Sequence, residues 1–213
     1  MKKLIALLVV IMALLLVFSA CEDTDDKGSD SASTEKIADR IDISALDLSL
    51  YINLGEYKGI EITLAEGDSR GDAVWSLVLN NSQVIQYPEQ QVKYYFERSK
   101  ASYEYLAKKG NDTYEHVISE LGITEEQMLD EARELVKADL VLHALIKAES
   151  IELTEDDKQN NFERYVQKFV KDYGYSEEYV RENMAEQIYD TMLFDKTVEK
   201  LMTLNTFVDT QEN

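Results

Sequence analysis

One proline and eight glycines in a chain of 213 residues leave few places where the backbone can be broken or turned sharply. A β-sandwich of this size needs a turn signal roughly every 8–12 residues, so that architecture is excluded. Long helices are what remain. The pattern predicts a helix over about 72–80 and a second from Pro88, allowed in a first turn, to Lys109, stopped at Gly110. A short helix follows over 113–121, closed by Gly122, and then Thr124 with Gln127 opens a helix to about Glu149 through a capping box. Thr154 caps another, ending before Gly174, and Ser176 caps the last, whose stripe is Val180, Met184, Ile188, Met192, Val198 and Leu201. Helical spacing places Val92, Phe96, Ser99, Tyr103 and Leu106 on one face of the second helix. It places Met128, Ala132, Leu135, Leu142 and Leu145 on the inner face of the long one. β-branched and aromatic residues around Gly55 and Gly59 predict one short strand or hairpin near residues 50–63. The fold class is therefore mainly α with a short β segment.

The N-terminus has the order of a secretory signal: Lys2 and Lys3, an apolar run from Leu4 to Phe18, then Ser19, Ala20 and Cys21. That run is about fifteen residues, short of the roughly twenty that span a bilayer comfortably. Cleavage before Cys21 is the expectation; the alternative is an uncleaved anchor helix with a buried cysteine. The stretch resembles the bacterial lipobox, with Phe18 where that motif usually has Leu. The resemblance implies a lipid (palmitate) on Cys21 and a cell-membrane lipoprotein on the extracytoplasmic face. Because Cys21 is the only cysteine, its acylation would leave no thiol for a disulfide, a metal site or a nucleophile. Residues 21–48, rich in Asp, Ser, Thr and Lys, are expected to form a flexible acidic linker. A β segment over 49–66 and a helical domain over 70–205 complete the organisation.

With 42 acidic and 22 basic residues, net −20, nucleic acid and a bare anionic membrane face are disfavoured partners. The two histidines, His116 and His143, fall on different predicted helices with no HExxH-like spacing, so no metal or other cofactor is expected. The carboxylates sit on predicted polar faces, where solvated surface is the default, and no phosphate loop or nucleophile elbow occurs. No catalytic residues are assigned.

The compositional oddity is tyrosine, thirteen in all, with Tyr94, Tyr95, Tyr103 and Tyr105 on one predicted helix. Tyrosine joins a large apolar ring to a wet tip, which suits weak capture of varied apolar segments. These four are the candidate polypeptide-binding residues; the alternative is that they edge the core.

Two stretches resemble trigger factors. LGEYKGIEI, residues 54–62, resembles the segment preceding their isomerase domain. Residues 74–204 resemble their C-terminal, arm-bearing domain, whose helical architecture is shared with SurA-type chaperones and the N-terminal part of PrsA-type lipoproteins. The clearest pieces are VKADLVLHALIKAESIELTEDD (136–157), YGYSEEYV (173–180) and NNSQVIQYPEQQV (80–92). The basic Gly-Phe-Arg ribosome-docking loop has no counterpart, so ribosome binding is not implied. Only about ten residues separate Ile62 from Ala73, where the family carries a prolyl-isomerase domain of roughly ninety, so no enzyme activity is expected. What this resemblance implies is the arm-bearing cradle with which such chaperones hold unfolded chains; joined to the leader pattern, the expectation is a membrane-anchored extracytoplasmic holdase for unfolded or newly exported polypeptides. The rivals are a foldase that works with a partner's isomerase and a cell-envelope adaptor for one defined partner.

Overall fold

The computed structural model describes residues 37–209; the leader, Cys21 and most of the expected linker lie outside them. Along the chain come β1 (Ile52–Asn53), β2 (Glu61–Leu64), α1 (Arg70–Asn81), β3 (Gln83–Val84), α2 (Glu89–Gly110), α3 (Tyr114–Leu121), α4 (Glu125–Glu149), α5 (Phe162–Tyr173), α6 (Glu177–Asn183), α7 (Ala185–Leu204) and β4 (Thr206–Asp209). The protein is mainly α. The helix ends follow local caps; Gly110, expected as the stop of the second helix, is its last residue, and Asn111 takes the left-handed position. Ser69, Thr113 and Ser176 each accept the N–H three residues on, and Thr124 and Gln127 bond reciprocally. Asn111, Gly122 and Gly174 close α2, α3 and α5 in the left-handed conformation.

The described residues fall into two compact units where one helical domain over 70–205 is expected. The first holds 37–45, α2, α3 and α4 up to Lys137. Its interior is sparse: Ile43, Pro88, Val92, Ala107, Met128, Ala132 and Val136 are its buried apolar residues. Ser102, also buried, gives its hydroxyl to the Arg98 carbonyl (3.0 Å), which satisfies it within the helix.

The second unit holds residues 46–85 and those from Ala138 onward. Val74 and Val78 of α1, Leu140, Val141 and Leu145 of α4, Val166 of α5, Val180 of α6, Met184 between α6 and α7, and Ile188 of α7 are fully enclosed. Each such side chain contributes about 1.5–3 kcal/mol for Val, Leu, Ile or Met. Trp75 meets Phe194 edge-on at 5.0 Å, joining α1 to α7. Asn205, just after α7, sits at 9% exposure and stitches this unit together. Its Oδ1 accepts the Ile60 N–H (2.9 Å), and its Nδ2 donates to the carbonyls of Tyr57 (3.0 Å) and Leu201 (2.8 Å).

Several expectations are corrected. Residues 54–60 do not turn back as a hairpin. β1 pairs antiparallel with β3, and β2 pairs parallel with β4. The cause is visible at Gly55, where a Cβ would lie 2.0 Å from the Asn81 carbonyl oxygen, so the chain passes close against the end of α1 instead. The end of the expected linker is not a spacer: Ile43 and Leu48 are buried, and residues 38–41 are hydrogen-bonded to α2. On α4 the fully buried row advances by fours, Met128, Val136 and Leu140 with Ala132 nearly so, and leaves Leu135 and Leu142 half-buried. On α2, Ala107 turns inward and Leu106 stays 43% exposed. The helix opened by Thr154 starts through a wide turn at Asp157–Asn161, and the last predicted helix bends at Met184 into α6 and α7. At that bend the Met184 N–H still reaches Val180 and the Ile188 N–H reaches Met184, so one apolar stripe runs through both helices.

Candidate functional site

The candidate site is the helical hairpin of α2 and α3 in the first unit. Their connection is short because Asn111 caps α2 in the left-handed region and Thr113 at once caps α3, accepting the His116 N–H at 3.2 Å. α3 is amphipathic by sequence, with Val117, Ile118 and Leu121 at helical spacing, yet none of its residues is buried. Leu121 is 56% exposed. Together with Leu106 on α2 it leaves large apolar side chains on this unit open to solvent.

The four tyrosines are not one face. At 3.6 residues per turn, Tyr94 and Tyr105 differ by about 20° around α2 whereas Tyr103 lies roughly opposite Tyr94. All four are half-buried. Tyr103 faces the interior side: burial, with the Glu131 carboxylate of α4 nearby, holds its hydroxyl above the ordinary range, and burial likewise raises Glu131. Tyr94 meets Tyr95 edge-on at 5.3 Å. On the Tyr94 and Tyr105 stripe each ring carries a cation from the next turn, Arg98 at 5.6 Å and Lys109 at 5.1 Å, and Arg98 also donates to the Tyr94 hydroxyl at 2.5 Å. Such pairs contribute about 0.5–1 kcal/mol each at partly exposed sites and orient the rings. The structure therefore brings Tyr94 and Tyr105 together on one stripe and separates Tyr103 from them.

A further aromatic, Tyr114 at the start of α3, is not among the sequence candidates. Lys100 lies over its ring at 5.5 Å and its hydroxyl reaches Glu125 at 3.4 Å; burial and that carboxylate push the phenol up to about 12, so it is a neutral donor at physiological pH. It helps line an open depression with Glu104, Ala107, Lys108, Asn111 and Asp112. The short α3 helix, with three apolar residues and no obvious neighbour, was the signal that could have drawn attention here. His116 is on the exposed side of α3, between Asp112 (2.6 Å) and Glu120 (3.8 Å), and His143 is on α4. Among the described residues no group of three or more His, Cys, Asp or Glu side chains could hold a metal ion. Within the same residues no helix is long and apolar enough to cross a membrane.

Chemically, this hairpin can adsorb apolar and aromatic side chains and offer hydrogen bonds at its edges. The family model of the bacterial trigger factor protein C-terminus matches residues 79–203, which takes in α2 to α6 and most of α7. A trigger factor from Caldicellulosiruptor bescii is 25% identical over 139 residues, 62% of this chain and 31% of that protein. The match thus spans about a third of that curated relative's length. No solved structure matches. The chain belongs to the bacterial trigger factor C-terminal family.

Proposed function

We propose that this protein is a membrane-tethered holdase, held by a lipid on Cys21 outside the cytoplasm, that captures unfolded or newly exported polypeptides on the α2 and α3 hairpin. The observation that carries the reading is α3: an amphipathic helix of the chaperone-family domain with no buried residue and an open Leu121. Exposed apolar area of this kind supports binding to apolar segments, and a net charge of −20 opposes self-association. The chain acts by binding alone; catalysis of prolyl isomerisation is not part of the proposal. The leader pattern and the single cysteine support the extracytoplasmic tether.

The test is suppression of aggregation. Residues 22–213, purified, should keep several unrelated unfolded proteins from aggregating, and Leu121→Asp should weaken this severalfold without lowering the melting temperature by more than about 2 °C, as expected for an exposed position. Activity towards one protein only would favour an adaptor, and an unchanged Leu121→Asp variant would remove α3 from the site.

A further inference from the structure

α3 draws least on the core of the first unit. It is eight residues long, none of them is buried, and only Tyr114, Val117 and Ile118 are even half-buried. A helix this short has little stability of its own, and an element with so little buried area opens at the low end of the local-stability range. Thr113 caps its first turn and Gly122 closes its last, and a third device runs along its exposed side. His116 stands there between two carboxylates, four residues away on either side. Its Nδ1 meets Asp112 Oδ2 at 2.6 Å, in the turn from α2, and its Nε2 faces Glu120 Oε1 at 3.8 Å, in the last turn of α3. Asp112 is itself fixed, because its Oδ1 accepts the Thr113 N–H at 2.7 Å. The His116 side chain is 57% exposed, so the ring exchanges its proton with solvent unhindered.

The charge on the ring decides what this arrangement does. Protonated, it donates from both nitrogens and ties the turn before α3 to the last turn of the helix. Neutral, it keeps one proton; the short contact with Asp112 holds that proton on Nδ1, and Nε2 turns a lone pair towards Glu120. Packed against α3, α2 brings Glu104 and Lys108 to the depression beside Asp112, while Lys109 lies over Tyr105. The start of α4 brings Glu125, which pairs with Lys100 at 3.6 Å. The charges acting on the ring itself are Asp112 and Glu120: the Asp112 bond first, then the charges of both, hold its pKa above the ordinary histidine value. The positive end of the helix dipole opposes a cation in the first turn, but a carboxylate in direct contact outweighs a partial charge. The Asp112 carboxyl is held below its ordinary range, by the His116 bond first and then by the Thr113 N–H, so it stays ionised while the ring titrates.

We propose that Asp112, His116 and Glu120 form a proton-operated clasp that firms α3 when the ring is charged and slackens it when the ring is neutral, so that capture on this helix is stronger on the acid side of neutrality. This rests on the reading of the α2 and α3 hairpin as the capture surface, and adds its regulation. The sign follows from the raised folded value: the clasp is complete below the ordinary histidine value of about 6.5 and is lost as pH rises through the folded one. Two pairs spaced by four residues, at about 1.4- to 2.3-fold each, change the stability of α3 by about two- to fivefold.

Amide hydrogen exchange on residues 22–213 reads the clasp without any client. Corrected for the chemical pH dependence of exchange, protection of the Val117 to Leu121 amides should fall about two- to fivefold between pH 6 and pH 8, with its midpoint at the His116 ring titration seen by NMR. In His116→Gln the protection should not change over that range, and in Asp112→Asn with Glu120→Gln the ring should titrate closer to the ordinary histidine value. Protection that is flat in the unaltered protein, or that falls equally in His116→Gln, overturns the clasp. The second arm is binding of reduced, carboxymethylated lactalbumin. From pH 6 to pH 8 its affinity should fall about two- to fivefold more in the unaltered protein than in His116→Gln. Exchange that follows the ring with no such difference in binding leaves the clasp standing and overturns α3 as the capture surface.

Discussion

Replacing Asn205 by alanine isolates the joint on which the second unit depends. In the native protein one amide group serves three main-chain partners, two of them in the 57–60 loop and one at Leu201, near the end of α7. The neighbouring main chain repeats the join, with Gly59 donating to the Leu204 carbonyl at 2.9 Å and Thr206 to Ile60 at 3.0 Å. Alanine removes three hydrogen bonds at about 0.5–1.5 kcal/mol each and leaves poorly solvated main-chain groups behind, so a loss of about 2–4 kcal/mol is expected. Against a typical domain stability of about 5–15 kcal/mol this is large, and it corresponds to a drop of roughly 5–15 °C in melting temperature. Urea unfolding followed by Trp75, which reports on the packing of α1 against α7, measures it. Amide exchange at Gly59 should accelerate in parallel, because the loop loses its side-chain clamp. A loss under about 0.5 kcal/mol, or an unchanged Gly59 amide, would refute the idea that this amide holds the loop to the C-terminal strand.

Acid should weaken the same unit. Tyr57 and Lys58 hold the Glu149 carboxyl below its ordinary range, and Lys196 with the Thr154 cap holds Asp157 far below; both folded-state values are depressed, so their stabilisation is full above about pH 5 and is lost as pH falls. Urea midpoints should decline from pH 5 to pH 2, less steeply in Glu149→Gln; a parallel decline in the variant counts against the cluster. Changing Tyr94 and Tyr105 together to serine should cost about 2 kcal/mol, since half-buried rings and two cation contacts are lost, while client affinity falls. Loss of 5 kcal/mol would make them core, and unchanged affinity would remove them from the site. Cys21→Ser should release the protein into the soluble fraction or leave an unprocessed precursor, which membrane fractionation and mass spectrometry distinguish.

What could be read in the chain was local. Caps and stops sit at their own helix ends, so Thr124, Ser176, Gly122 and Gly174 mark boundaries to within a residue or two. Pairing was not legible. Nothing near Glu61–Leu64 says that its partner is Thr206–Asp209, more than 140 residues on, because strand partners are chosen by the packing of everything between them. Faces were legible only approximately. Leu135 and Leu142 satisfy a seven-residue spacing from Met128, but α4 contributes to two units, and its buried row follows steps of four. The bend at Met184 has neither proline nor glycine to announce it.

The same distinction explains why the tyrosines drew attention and Gln91 did not. A cluster of aromatics is visible as composition, whereas the role of a glutamine depends on what the fold places against it. Tyr103, three residues from Lys100 in the same run, ends beside Glu131 because α4 covers that side of α2. Gln91 ends enclosed because residues 38–41 return to α2 from fifty positions upstream. A polar side chain enclosed against another segment's main chain is costly unless bonded, so its presence marks a contact that the fold is built to make.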